Sequence, residues 1–161
     1  MIFVCVGSRD YQFNRLIKKL DELVENGDLK EEVFAQIGSS DYIPKNFKYE
    51  RFLDTDVFNK YVDKCRILIT HGGTGSIIGA LKKGKYVIGV PRLAKYGEHI
   101  DDHQKQIIGV CTEKKYIKSV LEMSELLDAI KSFDNPKDIV PYNRESHVIE
   151  ILDSYIMENW K

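Results

Sequence analysis

Apolar positions along the chain follow two alternating rhythms. MIFVCVG, residues 1–7, is a continuous apolar run ending in glycine, the pattern of a strand buried on both faces. After SRDYQ, residues Phe13, Leu16, Ile17, Leu20, Leu23 and Val24 recur at helical spacing. Asn26-Gly27 then supplies a C-terminal stop. EEVFAQIG reads as a second strand, SSDYIPKN as a loop carrying Pro44, and KYERFL as a third strand. Asp54 or Thr55 caps a short helix through DVFNKYVDKC, and RILIT is another wholly apolar strand. HGGTGS turns the chain into SIIGALKKG, helical in character despite Gly79, before KYVIGVP forms a strand stopped by Pro91.

Residues 92–103, RLAKYGEHIDDH, are polar and aperiodic, which predicts a long loop running into a helix over DHQKQIIGVCTEK. YIKSV is a last short strand and SELLDAIKSF a helix. After DNPKDIVPYN, an amphipathic helix is predicted at about 143–160, within ESHVIEILDSYIMENW. Its apolar residues Val148, Ile149, Ile151, Leu152, Tyr155, Ile156 and Trp160 exceed a single narrow stripe, so it packs on the domain's own sheet or docks a partner. Strands alternating with helices, with the central strands apolar throughout, predict an α/β fold. The expected architecture is a single Rossmann-like domain over residues 1–161, with a parallel sheet and helices on both faces.

Composition narrows the functional classes. Lys plus Arg number 24 and Asp plus Glu 25, so no global basic field points to nucleic acid. A chain of 161 residues can bury a core without disulfides or a structural metal. Cys5, Cys65 and Cys111 form no CxxC or paired Cys/His spacing, and read as buried thiols in a reducing cytosol. Met1 leads into IFVCV without a basic region, too short for a signal peptide or membrane span, and no later stretch approaches a spanning helix.

Candidate chemistry gathers after the predicted strands. In open parallel sheets, ligands bind beyond the carboxyl ends of the strands. RILIT followed by HGGTGS places a glycine turn at such an end, where a new helix exposes unpaired N–H groups and a positive dipole end. Gly72, Gly73 and Gly75 let an anion approach the backbone, and Thr74 and Ser76 add hydroxyl donors. A tight strand-to-helix turn alone also favours glycine and a Ser or Thr cap, so both readings stand. The turn is neither GxGxxG nor GxxxxGK[ST], hence neither a dinucleotide fingerprint nor a P-loop. His71 is either a packed, hydrogen-bonding residue or a catalyst. RLAKYGEHIDDHQKQ adds Arg92, Lys95, Glu98, His99, Asp101, Asp102, His103, Gln104 and Gln106 at the same edge, as sugar or ribose contacts or as a solvated loop and helix cap. Its His/Asp cluster lacks diagnostic metal spacing. Two further loops, Gly7-Ser8-Arg9 and Gly38-Ser39, are similarly placed.

HGGTGSI and VPRLAKYGEHIDDHQ, at this spacing, resemble the C-terminal, donor-binding half of family 28 glycosyltransferases. The resemblance covers nearly the whole chain and is strongest to small stand-alone subunits of the Alg13-like and bacterial PssE-like type. It implies half of a GT-B fold in a two-component, inverting, metal-independent enzyme without cofactor. It also implies a UDP-sugar as donor and a lipid-linked saccharide in capsule or exopolysaccharide synthesis as acceptor. The diphosphate would rest on Gly72, Gly73, Thr74, Gly75 and Ser76. Glu98, Asp102, His103, Gln104 and Gln106 would recognise sugar and ribose, with His71 and His99 as internal candidates for the base. The acceptor half would be a membrane-anchored Alg14- or PssD-like subunit, recruiting this cytoplasmic chain to the inner face of the membrane.

One departure stands out. Many relatives carry a ribose-binding glutamate on the helix after the glycine turn, and the aligned position here is Gly79, leaving Glu98 as a substitute carboxylate. Two other readings remain: a non-catalytic accessory subunit activating a partner glycosyltransferase, and an unrelated Rossmann-type nucleotide enzyme, which the missing GxGxxG disfavours.

Overall fold

A computed structural model describes residues 1–143; the helix expected at about 143–160 lies outside them. The apolar runs form strands β1 (Ile2–Cys5), β2 (Val33–Gln36), β4 (Ile67–Thr70) and β5 (Tyr86–Gly89), with β3 (Lys48–Glu50) and β6 (Lys118–Ser119) at the edges. Every residue of β1, β2 and β4 is buried, as a strand covered on both faces requires. The order is β3-β2-β1-β4-β5-β6 and every pairing is parallel. The two edge strands are shorter than the runs KYERFL and YIKSV, because side chains there lack a neighbour on one flank.

The helices are α1 (Asn14–Glu25), α2 (Thr55–Lys64), α3 (Thr74–Lys82), α4 (His103–Glu113) and α5 (Leu126–Ser132). Alternation along the strands divides the core in two. Ile2, Val4, Ile67, Ile69 and Ile88 meet Leu16, Ile17 and Leu20 of α1 and Leu126 and Ile130 of α5. Phe3, Cys5, Leu68 and Val87 meet Val62 of α2, Ile77 and Leu81 of α3, and Ile108 and Cys111 of α4. All three cysteines are buried free thiols.

Residues 92–102 are not wholly the solvated loop that one of the two sequence readings allowed. Arg92, Leu93 and Glu98 are buried, and Ala94–Tyr96 form a 3-10 turn. Polar composition hid this because the burial comes from contacts across the fold, not from periodicity.

Another buried acid pins the loop after β2. Asp21 accepts the Tyr42 hydroxyl at 2.7 Å, the Lys45 N–H at 3.0 Å and the Asn46 N–H at 2.8 Å. Burial pushes its pKa up, but these donors outweigh it and hold the carboxyl below its usual value. The stabilisation is therefore present above the unfolded value of about 3.9 and lost as pH falls through the lower folded value. Asp21→Ala should cost about 1–3 kcal/mol near neutrality. Urea unfolding should show that deficit shrinking below pH 4, about the unfolded value; a deficit constant across that window would refute the assignment.

Candidate functional site

β1 and β4 lie side by side in mid-sheet, and the strand order runs outward from them in opposite directions. Loops leaving their carboxyl ends diverge and open a crevice. A cavity of about 420 Å³ occupies it, within the range of small-molecule sites. Gly7, Ser8 and Arg9 line it from the loop after β1, and His71, Gly72, Gly73, Thr74 and Ser76 from the turn after β4. Arg92, His99, His103, Gln104, Gln106 and Ile107 complete it from the segment after β5. Its lining among the described residues includes two arginines and no carboxylate, which favours an anion.

The α3 hydrogen-bond ladder begins with the Ile77 N–H donating to the Gly73 carbonyl at 3.1 Å. The amides of Thr74, Gly75 and Ser76 precede it, and the first turn carries no acid. That end is positively polarised and suited to phosphate. The glycines of the turn serve different needs. Gly72 has φ +100° and a Cβ there would lie 2.9 Å from Ile108 Cδ1, so α4 packs directly on the turn. A Cβ on Gly73 would lie 2.9 Å from His71 Cε1, whereas one on Gly75 would meet nothing within 4 Å. Crowding accounts for two of the glycines and leaves the space beside the third open.

His71 is wedged between Gly7 and Gly73. Its Nδ1 lies 3.3 Å from the Cys5 carbonyl, which only accepts, so Nδ1 carries the proton and Nε2 remains an acceptor. Burial, then the charge of Arg92, pushes its pKa down to about 4 against the opposing Cys5 bond. The ring is neutral at pH 7 and supplies shape and an acceptor, not charge. His99 differs. Its Nδ1 lies 3.1 Å from Asp101 Oδ1, shorter than its 3.4 Å contact with the Asp101 N–H, which places the proton on Nδ1 toward the carboxylate. Asp101 also approaches His103 Nε2 at 3.5 Å and accepts the His103 N–H at 3.1 Å.

Gln104 Oε1 accepts the Arg92 N–H at 3.1 Å, which fixes the amide orientation and leaves its NH₂ group for the cavity. His103 Nδ1 contacts Gln106 Oε1 at 3.3 Å.

Five expected contacts do not line the cavity, among them Gly75 of the turn itself. Glu98 is fully buried and does not line the cavity: it binds Arg15 Nε at 2.9 Å, Arg15 Nη2 at 3.0 Å and the Leu93 N–H at 2.9 Å. Asp102 accepts the Ala94 N–H at 2.9 Å and pairs with Lys105 at 3.1 Å, and these two partners hold its carboxyl below the usual range. Both carboxylates brace the 92–102 segment, because a chain crossing the sheet edge must satisfy its own N–H groups. Gly38 and Ser39 also lie outside the lining. A Cβ on Gly38 would fall 2.8 Å from the Gly7 carbonyl, so that glycine lets two loops meet. At Gly79 a Cβ would meet nothing within 4 Å among the described residues, so packing by those residues does not demand glycine there.

Among the described lining residues, Ile107 was not singled out from the sequence, and Arg92 was named there only within the polar segment, without a role of its own. Its position directly after β5, between Pro91 and the buried Leu93, was the available signal. No group of three or more His, Cys, Asp or Glu among the described residues is arranged to hold a metal ion. Among them, no helix is long and apolar enough to cross a membrane.

Several solved glycosyltransferase structures share this fold. SnogD from Streptomyces nogalater superposes with a TM-score of 0.61 at 19% identity, covering 86% of this chain and 36% of SnogD. MurG from Acinetobacter baumannii gives 0.60 at 14% identity, covering 96% of this chain and 49% of MurG. ALG13 gives 0.60 at 17% identity, covering 98% of this chain and 95% of ALG13. The chain thus spans between a third and a half of SnogD and MurG, and nearly all of ALG13. No curated protein matches it by sequence. The family model of the glycosyltransferase family 28 C-terminal domain matches residues 1–152, where the strand, glycine turn and polar segment just described all fall, and the chain belongs to that family.

Proposed function

We propose that the chain is the donor-binding, catalytic subunit of a two-component glycosyltransferase. It takes a sugar from a UDP-sugar and delivers it to a lipid-linked acceptor in polysaccharide synthesis. The observation that carries this reading is the cavity at the switch between β1 and β4, whose lining among the described residues holds no carboxylate and into which the α3 N-terminal turn opens. The resemblance to small stand-alone subunits, with the match to ALG13 over 95% of that chain, supports the two-component part, in which the acceptor half is a membrane-anchored subunit of Alg14- or PssD-like type that recruits this chain to the inner membrane face.

In the reaction, the bond between the sugar's anomeric carbon and the diphosphate oxygen breaks as an acceptor hydroxyl attacks that carbon. Negative charge develops on the departing diphosphate, where the amides and hydroxyls of Thr74 and Ser76 and the helix dipole stabilise it. Gln104 directs its NH₂ group to sugar or ribose hydroxyls. The acceptor's proton goes to a base. Within this chain His99, oriented by Asp101, is the better candidate for that role, because burial lowers the His71 pKa to about 4 and makes it a poor proton acceptor.

Isothermal titration with UDP is expected to give saturable binding with Kd between about 1 μM and 1 mM, the usual range for enzyme substrates. Absence of heat and of competition by UDP-galactose or UDP-N-acetylglucosamine, alone and with the partner subunit, would sink this reading. If Thr74→Ala with Ser76→Ala left transfer by the reconstituted pair unchanged, this chain would be an accessory subunit instead.

A further inference from the structure

Arg92 is 1% exposed yet lines the cavity. A buried guanidinium is costly unless its donors and its charge are matched. Here the match is incomplete. Nη2 donates to the Tyr11 carbonyl at 3.0 Å, and Cζ lies 5.6 Å from the Phe13 ring centroid. Nε is buried with no hydrogen-bond partner among the described residues. Glu98, whose field acts on Arg92, is itself bound by Arg15 and the Leu93 N–H and forms no ion pair with it. Burial holds the Arg92 pKa down at about 10, so the group remains a cation at pH 7.

We propose that Arg92 is a ligand-binding residue, whose unpaired side and uncompensated charge take an anionic group of the molecule that fills the cavity. The inference rests on the nucleotide-sugar reading and deepens it. A second source of charge from the β5 side complements the α3 terminus, which offers only partial charges. Two groups on a nucleotide sugar have the required chemistry: the diphosphate, and a carboxylate on an acidic sugar. Arginine suits either because its planar fork meets phosphate and carboxylate oxygens in pairs.

The test is titration of wild type, Arg92→Met and Arg92→Lys with uridine, UDP, UDP-glucose, UDP-glucuronate and inorganic pyrophosphate. Arg92→Met is expected to weaken UDP by about tenfold or more while changing uridine by less than about twofold, with Arg92→Lys between. A loss shared by UDP and both UDP-sugars assigns the diphosphate. A loss confined to UDP-glucuronate assigns the sugar carboxylate and equally supports a ligand role. Unchanged affinities, or uridine weakened as much as UDP, would overturn the proposal, because Arg92 would then only brace the loop at Tyr11. If Arg92→Met does not fold, Arg92→Lys with native circular dichroism decides by the same comparison. Wild type that binds no uridine compound refutes the nucleotide reading instead. Pyrophosphate then decides on Arg92: weaker binding in the variants supports it, and equal or absent binding refutes it.

Discussion

Gly7→Ala is expected to destabilise the protein by about 2–5 kcal/mol and to weaken UDP binding by at least about tenfold. Gly7 has φ +82°, a conformation that costs a residue with a Cβ about 1–2 kcal/mol. The added carbon would also lie 2.7 Å from both Cε1 and Nε2 of His71. That ring has little room to retreat. Its Nδ1 is bound to the Cys5 carbonyl, and Gly73 closes on its other side. Movement of His71 would shift the turn that begins α3, so the steric cost reaches the proposed anion site directly. Two effects are separable by a double-mutant cycle. His71→Ala in the Gly7→Ala background removes the clash and should recover the overpacking share, about 1–3 kcal/mol, while the backbone share persists. Urea unfolding measures the stability terms, and titration with UDP the binding term. Full additivity of the two substitutions would show that Gly7 and His71 do not press on each other. Gly79→Ala is the control: nothing among the described residues lies within 4 Å of the added carbon, and it should be neutral or stabilising by up to about 1 kcal/mol.

What the sequence made legible was local. MIFVCV, RILIT and KYVIG announce buried strands because both faces of each are apolar, and HGGTGS announces a turn at a carboxyl edge because topology places every such turn there. That topology brings the loops after β1 and β4 to the cavity, whereas Gly38 and Ser39 after β2 lie outside its lining. What stayed hidden depends on partners distant in the chain. Gly72 and Gly89 both press on Ile108, at 2.9 Å from an added Cβ, and no sequence pattern marks an isoleucine as the residue that seats α4 on two glycines. Arg92 and Glu98 read as sugar or ribose contacts or as solvated loop residues, because charge in an aperiodic stretch usually means exposure. Their burial follows from Arg15, Tyr11 and Phe13, side chains and backbone about eighty residues earlier. The neutrality of His71 was equally unreadable, since the desolvation and the Arg92 charge that cause it exist only in the folded chain.

Glu98→Ala should therefore act as a fold mutation before it acts on any ligand, with a loss of about 3–5 kcal/mol, the usual cost of breaking a buried ion pair. Glu98 joins three parts of the molecule through one group. Arg15 of α1 holds both its carboxylate oxygens, and the Leu93 N–H fixes the start of the segment after β5. Arg15 in turn donates to the Pro91 carbonyl at 3.0 Å and the Leu121 carbonyl at 3.2 Å, and its Cζ stands 5.0 Å from the Tyr96 ring centroid. Removing the carboxylate leaves Arg15, 16% exposed at its side chain, without its counter-charge, and leaves the Leu93 N–H without its acceptor. The segment thereby loosened carries His99, Gln104 and the backbone anchor of Arg92, so binding should fall for UDP and UDP-sugars alike. Glu98→Gln keeps an acceptor for the Leu93 N–H but not the charge, and should lose less than Glu98→Ala. A residue that gripped the ribose or the sugar would behave otherwise: its alanine variant would unfold like wild type and lose affinity for the ligand carrying the gripped hydroxyls. Urea unfolding beside titration with UDP and UDP-glucose separates the two roles. Wild-type stability in Glu98→Ala would return Glu98 to the ligand and remove it from the frame that positions the site.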